Sequence, residues 1–191
     1  MELLELYRRS ISGFLTRVER IGARDWDRPT PCPAWTVRDL VNHVVYEDRW
    51  AVPLMAGRTI AEVGDRFDGD LLGDDPVGRT LDAAKQAEAA AAEPGALERT
   101  VQLSFGPTPA DEYTWQMLAE HLLHAWDLAA ATGADRRLDA VVVSACAGWF
   151  LDREQLFRDA GAIGPRVAVP SGADAQDKLL GAYGRDPDWS R

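Results

Sequence analysis

Three histidines are the residues of this 191-residue chain with the clearest capacity for chemistry. His121 and His124 lie in the segment AEHLLHAWDLA, residues 119–129, and Glu120 comes directly before the first of them. His43 lies far upstream, in LVNHVVYEDRW. Imidazole and carboxylate groups together suit zinc, iron(II), nickel and similar ions. These residues therefore predict a divalent-metal site assembled from two helices.

The spacing of these residues is compatible with three different ligand pairs and does not choose among them. Glu120 and His124 are four residues apart, so on a helix their side chains are neighbours on one face. His43 would complete a set of three that leaves positions open for water or substrate. His121 with His124, and His43 with Glu47, are competing pairs at helical spacing. The E-x3-H pattern differs from the H-E-x-x-H of zinc proteases. The alternative without a metal is the polar face of an ordinary amphipathic helix.

Neighbouring side chains are weaker candidates for a chemical role. Asp127 lies one turn beyond His124 and could orient an imidazole, as carboxylates often do for metal-bound histidine. A plain helix-surface aspartate is the favoured interpretation, with the orienting role as the alternative. His121 is interpreted as a core or edge histidine, with a general base near the metal as the alternative. Trp50 shares the His43 side of its helix, where core packing is favoured over a place in a pocket.

The two cysteines are predicted to be reduced thiols without a catalytic role. Cys32 and Cys146 are far apart and form no CxxC motif. Cys32 lies between prolines in TPCPAW with no neighbouring base in sequence, whereas a nucleophilic cysteine needs a partner that lowers its pKa. Cys146 lies in an apolar helix and is expected in the core. Arg185, in the C-terminal GRDP, is expected to pin the tail by a salt bridge, with an anionic substrate as its alternative partner.

Charge and composition narrow the class of protein. With 31 acidic and 21 basic residues the net charge is −10, which disfavours nucleic-acid binding. No run of about 20 apolar residues is present, so no membrane span is predicted. The N-terminal MELLELYRRS lacks the apolar core of a secretory signal. We expect a soluble cytoplasmic protein with a small-molecule ligand or a protein partner.

Five helices are predicted to position the candidate residues. Apolar spacings and capping signals place them over residues 2–22, from Thr36 to about Gly57, from Asp75-Pro76 to Pro94, from Thr108-Pro109 to Gly133, and over residues 138–160. The prolines of residues 23–35 predict an ordered loop, residues 57–75 read as a loop, and RTVQLSFG predicts a strand or hairpin arm. The pattern favours an antiparallel helical bundle within a single domain, residues 1–191.

Three segments together resemble one known family. WDRPTPCPAWTVRDLVNHV (26–44), AEHLLHAWDLAAATG (119–133) and DKLLGAYGRDPDW (177–189) occur in the same order in actinobacterial metal-binding proteins related to the N-terminal domain of mycothiol-dependent maleylpyruvate isomerase. That family belongs to the DinB/YfiT-like bundles. The resemblance spans nearly the whole chain. It implies an all-α, DinB-like antiparallel four-helix bundle with additional short helix and loop elements and a C-terminal tail.

The resemblance also implies a site and a chemistry. The family binds a divalent metal through a histidine of the second helix and an E-x3-H pair, which fall on His43, Glu120 and His124; His121 is not a ligand position. Zinc is expected, with nickel or iron as alternatives, and mycothiol is a possible co-substrate. The expected activity is thiol-dependent transfer to, or isomerisation of, a small electrophilic metabolite, in a protein that could form a homodimer. The alternatives are a non-catalytic metal- or ligand-binding module and a helical interaction protein with a degenerate site.

Overall fold

The computed structural model describes residues 1–190, and these are mostly helical. The elements in chain order are α1 (Leu3–Val18), α2 (Val37–Met55), α3 (Ile60–Val63), α4 (Pro76–Ala91), β1 (Thr100–Leu103), β2 (Gly106–Pro109), α5 (Ala110–Thr132), α6 (Ala140–Phe150), α7 (Glu154–Asp159) and α8 (Ala175–Ala182). β1 and β2 pair antiparallel as a hairpin. Helix dominates as predicted, and the hairpin is the departure from a purely all-α fold.

Local capping chemistry fixes the starts of two long helices and the end of a third. The Thr36 hydroxyl accepts a hydrogen bond from the Asp39 N–H, and the Asp39 carboxylate accepts one from the Thr36 N–H at 2.9 Å. Asp75 caps α4, and Pro76 is the first residue of that helix. α5 ends at Gly133, whose φ of 77° is the left-handed conformation that favours glycine. All three signals were predicted from the sequence.

Several predicted boundaries were wrong, and local contacts explain most of the differences. α5 begins at Ala110 because Thr108 and Pro109 belong to β2, where they pair with β1. The predicted loop of residues 57–75 contains α3, which Thr59 and Glu62 open with a second capping box. Residues 138–160 form α6 and α7 instead of one helix, and α1 ends at Val18.

α5 lies at the centre of the molecule. It packs against α1, α2 and α6, while α4 packs against α1 and α2. Large apolar side chains of α5, among them Leu118, Leu122 and Trp126, are at most 3% exposed, and burial of each contributes about 1.5–3 kcal/mol. Because polar side chains of α5 are buried as well, α5 is not a surface helix with one wet face. Within residues 1–190, no helix combines the length and apolarity needed to cross a membrane.

The proline-rich loop before α2 is ordered, as predicted, and folds back on itself. Pro29 and Thr36 form an isolated bridge, the Thr30 N–H donates to the Trp35 carbonyl at 3.1 Å, and the Trp35 N–H donates to the Cys32 carbonyl. Ala34 takes a φ of 66°, a conformation that alanine adopts only at a cost of about 1–2 kcal/mol. The turn at this strained residue sets the positions of the Cys32 and Trp35 side chains.

Candidate metal site

His43 of α2 and Glu120 and His124 of α5 meet where the two helices pack together. Nε2 of His43 lies 3.2 Å from Oε2 of Glu120, and Nε2 of His124 lies 2.9 Å from the same oxygen. One donor atom from each of the three residues lies within 4.8 Å of the others. The structure therefore brings together the three residues that the family resemblance assigned as metal ligands.

The distances between these donor atoms fit three ligands of one small divalent cation. Bonds of about 2.0–2.2 Å from zinc to nitrogen and oxygen place neighbouring ligand atoms roughly 3.0–3.5 Å apart, depending on the coordination geometry. The two nitrogen-to-oxygen distances at Glu120 fall at or close to this range. Two imidazoles and one carboxylate are also a donor set that zinc, nickel and iron(II) accept.

A buried carboxylate determines how the His124 ring is oriented. Nδ1 of His124 lies 2.9 Å from Oδ2 of Asp127. Donation of the Nδ1 proton to Asp127 leaves Nε2 facing the Glu120 oxygen, and this nitrogen becomes a metal ligand once it gives up its proton. Burial opposes a charge on His124, but hydrogen bonds with Asp127, Cys32 and Glu120 outweigh it and raise its pKa well above the usual value. The surroundings of this ring thus favour positive charge.

The Glu120 carboxylate also favours a positive charge beside it. Partial burial opposes the negative charge, but hydrogen bonds from His124 and His43 outweigh it and hold the pKa of Glu120 well below the usual range. Glu120 is therefore an anion whose Oε2 faces two imidazole nitrogens, and each contact needs a proton on the nitrogen in the absence of a cation. A cation bound by all three groups would satisfy them together.

The donor group is covered on one side and accessible on another. The ring of Trp35 lies 4.7 Å from the His43 ring and 6.1 Å from the His124 ring, measured between centroids. The Glu120 side chain is 39% exposed, so the donor group lies at the border of the core with solvent.

Neither competing pair is brought together as ligands, because the groups of possible metal donors among residues 1–190 contain neither His121 nor Glu47. Glu47 nevertheless lies close enough to the site for the Glu120 charge to affect its pKa. Burial and the neighbouring Glu120 carboxylate raise its pKa to about 7. This half-buried acid was considered in the sequence only as a partner of His43.

His121 lies in the core instead of at the donor group. Its Nδ1 is 2.8 Å from the Met117 carbonyl oxygen, and its Nε2 is 3.3 Å from Asp48. The rings of Tyr7 and Phe14 pack against it edge-on, and it is fully buried. This placement agrees with the interpretation of His121 as a core histidine and keeps it from direct contact with a substrate at the donor group. Its partner Asp48 was not identified from the sequence.

Asp127 connects the donor group to the C-terminal tail. Arg185 donates to Oδ2 of Asp127 at 3.1 Å, which confirms the predicted salt bridge, and Cys32 Sγ lies 3.4 Å from the same oxygen. Burial opposes the negative charge of Asp127, but Arg185 and His124 have the larger effect, so the pKa of Asp127 lies below its usual value. The contacts join residues far apart in sequence. The joint occurrence of TPCPAW, E-x3-H and GRDP was the one sequence signal that could have indicated them.

Cys32, His124 and Asp127 form a second group of possible metal donors, but Arg185 makes it a poor cation site. The Arg185 guanidinium occupies Oδ2 of Asp127 and lies 3.7 Å from Cys32 Sγ. A divalent cation there would meet a fixed positive charge. The group of His43, Glu120 and His124 is therefore the better fit.

Comparison with known proteins relates the chain to one family. The sequence model of the family described as "Mycothiol maleylpyruvate isomerase N-terminal domain" matches residues 7–129, which include the three donor residues and Asp127. Two proteins of Mycobacterium tuberculosis, one from strain CDC 1551 / Oshkosh and one from strain ATCC 25618 / H37Rv, are similar to the chain. Each is described as uncharacterized and is 30% identical over 187 residues, which cover 93% of this chain and 88% of the relative.

Two solved structures share the fold. The crystal structure of the mycothiol-dependent maleylpyruvate isomerase superposes with a TM-score of 0.71 at 19% identity, over 98% of this chain and 91% of that one. A histidine-to-alanine mutant under the same enzyme name gives a TM-score of 0.60 at 18% identity, over 75% of this chain and 67% of the other. At these identities the likeness concerns the fold alone.

Proposed function

The chain belongs to the mycothiol maleylpyruvate isomerase N-terminal domain family, and from that premise we propose that it is a divalent-metal-dependent enzyme that works with a low-molecular-weight thiol of the mycothiol type. The proposed reaction is thiol-dependent isomerisation of, or thiol transfer to, a small electrophilic metabolite. The observation that carries the proposal is the convergence of His43, Glu120 and His124 on one small volume beside an accessible surface.

The three donor residues would hold the cation, with zinc as the first candidate and nickel or iron(II) as alternatives. A divalent cation bound there would favour the thiolate form of a coordinated thiol and polarise a carbonyl group. Both effects suit the addition of a thiol to an electrophile and the cis–trans isomerisation of a thiol adduct.

The surrounding residues prepare the donor group for this role. Asp127 holds the Nδ1 proton of His124, so Nε2 stays available as a ligand. Arg185 fixes Asp127 from the tail. Trp35 supplies an apolar wall beside His43, against which the body of a substrate can pack. Each contact orders a group before substrate arrives, which lowers the cost of reaching the reactive geometry.

The finer structural expectations form part of the same proposal. We assign the packing of α1, α2, α4 and α5 to a DinB-like antiparallel four-helix bundle, with the remaining elements as additions to a single domain of residues 1–191. A cytoplasmic place of action suits a reduced small thiol. A homodimer is the proposed assembly.

The first test is elemental analysis of tag-free protein, with wild type beside His124→Ala and Glu120→Gln. We expect about one divalent metal per chain in the wild type and its loss in both variants. Asp82→Asn is the control, because Asp82 is exposed and makes no hydrogen bond or ion pair within residues 1–190. No metal in the wild type, even after reloading with zinc and nickel, would contradict the proposal and favour the interaction protein.

The second test is turnover by the metal-loaded protein. Maleylpyruvate with mycothiol is the first substrate pair to try, followed by other thiols and electrophiles. We expect conversion that requires both the thiol and Glu120. A stoichiometric metal without thiol-dependent turnover of any electrophile would favour the non-catalytic metal-binding module.

A further inference from the structure

A second cleft lies on α2, away from the metal site. Two adjoining cavities of about 250 and 270 Å³ share Pro53, Arg58 and Arg66 as lining residues. The cleft is bounded by the C-terminal half of α2, the segment of residues 56–67 and Gln86 of α4. Pro53 is ten residues beyond His43, which is about 15 Å along the helix axis. No metal-site donor lines the cleft.

The lining of this cleft is positively charged, whereas the chain as a whole is negatively charged. The chain carries a net charge of −10, yet three arginines and a single acidic residue line the cleft: Arg49, Arg58, Arg66 and Glu62. Their formal charges leave the lining at +2. Such a concentration of guanidinium groups favours an anionic ligand.

The positive charge is poorly neutralised by the protein. Arg49 donates to the neutral Gln86 amide at 2.9 Å, and Arg66 makes no hydrogen bond or ion pair with any residue in the range 1–190. Arg58 pairs with Glu62 at 3.3 Å, but both side chains are about half exposed or more, at 64% and 48%. Glu62 also accepts the capping hydrogen bond from the Thr59 N–H. A surface pair of this kind is weak, so Arg58 can turn to a ligand.

Apolar side chains form a large part of the remaining lining, and one of them is positioned by a core ring. Val52, Pro53, Ala56 and Phe67 line it beside the arginines. The Phe67 ring packs edge-on against the largely buried ring of Trp50, at 6.0 Å between centroids. An inorganic anion would contact only the guanidinium groups and would not cover this apolar surface.

We propose that this cleft binds a small organic carboxylate with a flat apolar body, of the aromatic carboxylate class. Arg58 and Arg66 receive the carboxylate, since a guanidinium matches its two oxygens. The apolar body packs on Pro53 and Phe67. The cavity volumes lie just below the roughly 300 Å³ at which pockets for drug-sized ligands begin, so a single ring is the size that fits.

Benzoate is the probe for this site, and isothermal titration calorimetry measures its binding to the full chain. We expect saturable binding to the wild type and at least about tenfold weaker binding to the Arg58→Gln/Arg66→Gln double variant. Arg24→Gln is the matched control, because Arg24 is exposed and lies outside the cleft. Circular dichroism confirms that each variant is folded.

Further variants separate the cleft from other binding sites. Phe67→Ala should weaken benzoate binding several-fold, and Glu120→Gln should leave it unchanged because Glu120 belongs to the metal site. Loss of binding in Glu120→Gln would place benzoate at the metal site and overturn the proposal. Full affinity in the double variant, or phosphate binding as tightly as benzoate, would overturn it as well.

Discussion

Replacing Asp127 with asparagine tests whether the proposed metal site depends on a buried partner beyond its three donor residues. The substitution keeps the size of the side chain and an acceptor oxygen for the Nδ1 proton of His124. It removes the negative charge that faces both His124 and Arg185. Because Asp127 is fully buried, solvent screens the lost charge little.

Two separate losses are expected from Asp127→Asn. The loss of a carboxylate that orients a metal-bound histidine weakens metal affinity by about 10- to 100-fold. Breaking a buried ion pair by removing one partner lowers the free energy of unfolding by about 3–5 kcal/mol. We expect the lower end, about 3 kcal/mol, because the Arg185 side chain is 18% exposed and can recover some hydration.

The two losses are measured in separate assays. Competition with a chromophoric chelator gives the zinc affinity of each folded variant, and urea denaturation of metal-free protein gives the free energy of unfolding. Arg185→Gln separates the effects: it should lower stability by breaking the same pair, but it leaves the His124–Asp127 contact and should reduce zinc affinity less. Asp82→Asn is the control for loss of an exposed charge.

Wild-type zinc affinity in Asp127→Asn would refute the argument that this carboxylate prepares His124 as a ligand. An equal loss of affinity in Asp127→Asn and Arg185→Gln would also refute it, because the effect would then follow from general destabilisation. A loss in Asp82→Asn of similar size would show that net charge, and not the buried contact, determines the affinity.

Three further outcomes follow from the structure. Asp48→Ala removes the partner of the buried His121 and should cost about 3 kcal/mol of stability without loss of metal, by urea denaturation and elemental analysis; reduced metal content would contradict this. Burial raises the Glu47 pKa to about 7, so the folded state holds this proton more tightly than the unfolded state. The resulting stability is present below about pH 4.5 and is lost as the pH rises through 7. In metal-free protein, Glu47→Gln should therefore be about 3 kcal/mol more stable than wild type at pH 8 and equal at pH 4; equal unfolding curves at both pH values would be inconsistent with it. Burial raises the Cys146 pKa to about 12, whereas Cys32 is half-buried, so a thiol reagent at pH 8 should modify one thiol per native chain and two after denaturation. Two fast-reacting thiols in the native protein would show that the core around Cys146 opens.

The sequence predicts the parts of the fold that depend on neighbouring residues. The Thr36–Asp39 capping box, Pro76 at the first position of α4 and Gly133 after α5 all act within one turn of chain, so a local pattern reveals them. The division of residues 138–160 into α6 and α7 is different. Arg153, in the turn between them, donates to Glu112 of α5 at 2.7 Å, and such a tertiary contact leaves no trace in local periodicity.

In the candidate site, too, contacts between residues near in sequence were predictable, and contacts between distant residues were not. The contact between His124 and Asp127 spans one helical turn and was predictable from spacing. The contacts of Asp127 with Arg185 and Cys32 span 58 and 95 residues, respectively. Spacing alone could not rank the three ligand pairs; the family resemblance did so, and the packing of α2 on α5 agrees with that ranking.

The burial of α5 changes the weight of its histidines as indicators of function. A buried polar group costs free energy unless it is paired, and His121 shows the purely structural solution, with both ring nitrogens engaged and no exposure. One turn further along the same helix, His124 shares a single Glu120 oxygen with His43, and the Glu120 side chain is partly exposed. The two histidines are three residues apart in one segment, so local sequence does not distinguish them. What separates them is the partner that α2 presents: a sealed aspartate, Asp48, in one case and a second imidazole in the other. A carboxylate shared by two imidazoles at the edge of the core is the arrangement on which the proposed metal site rests, whereas the sealed pair of His121 and Asp48 belongs to the core.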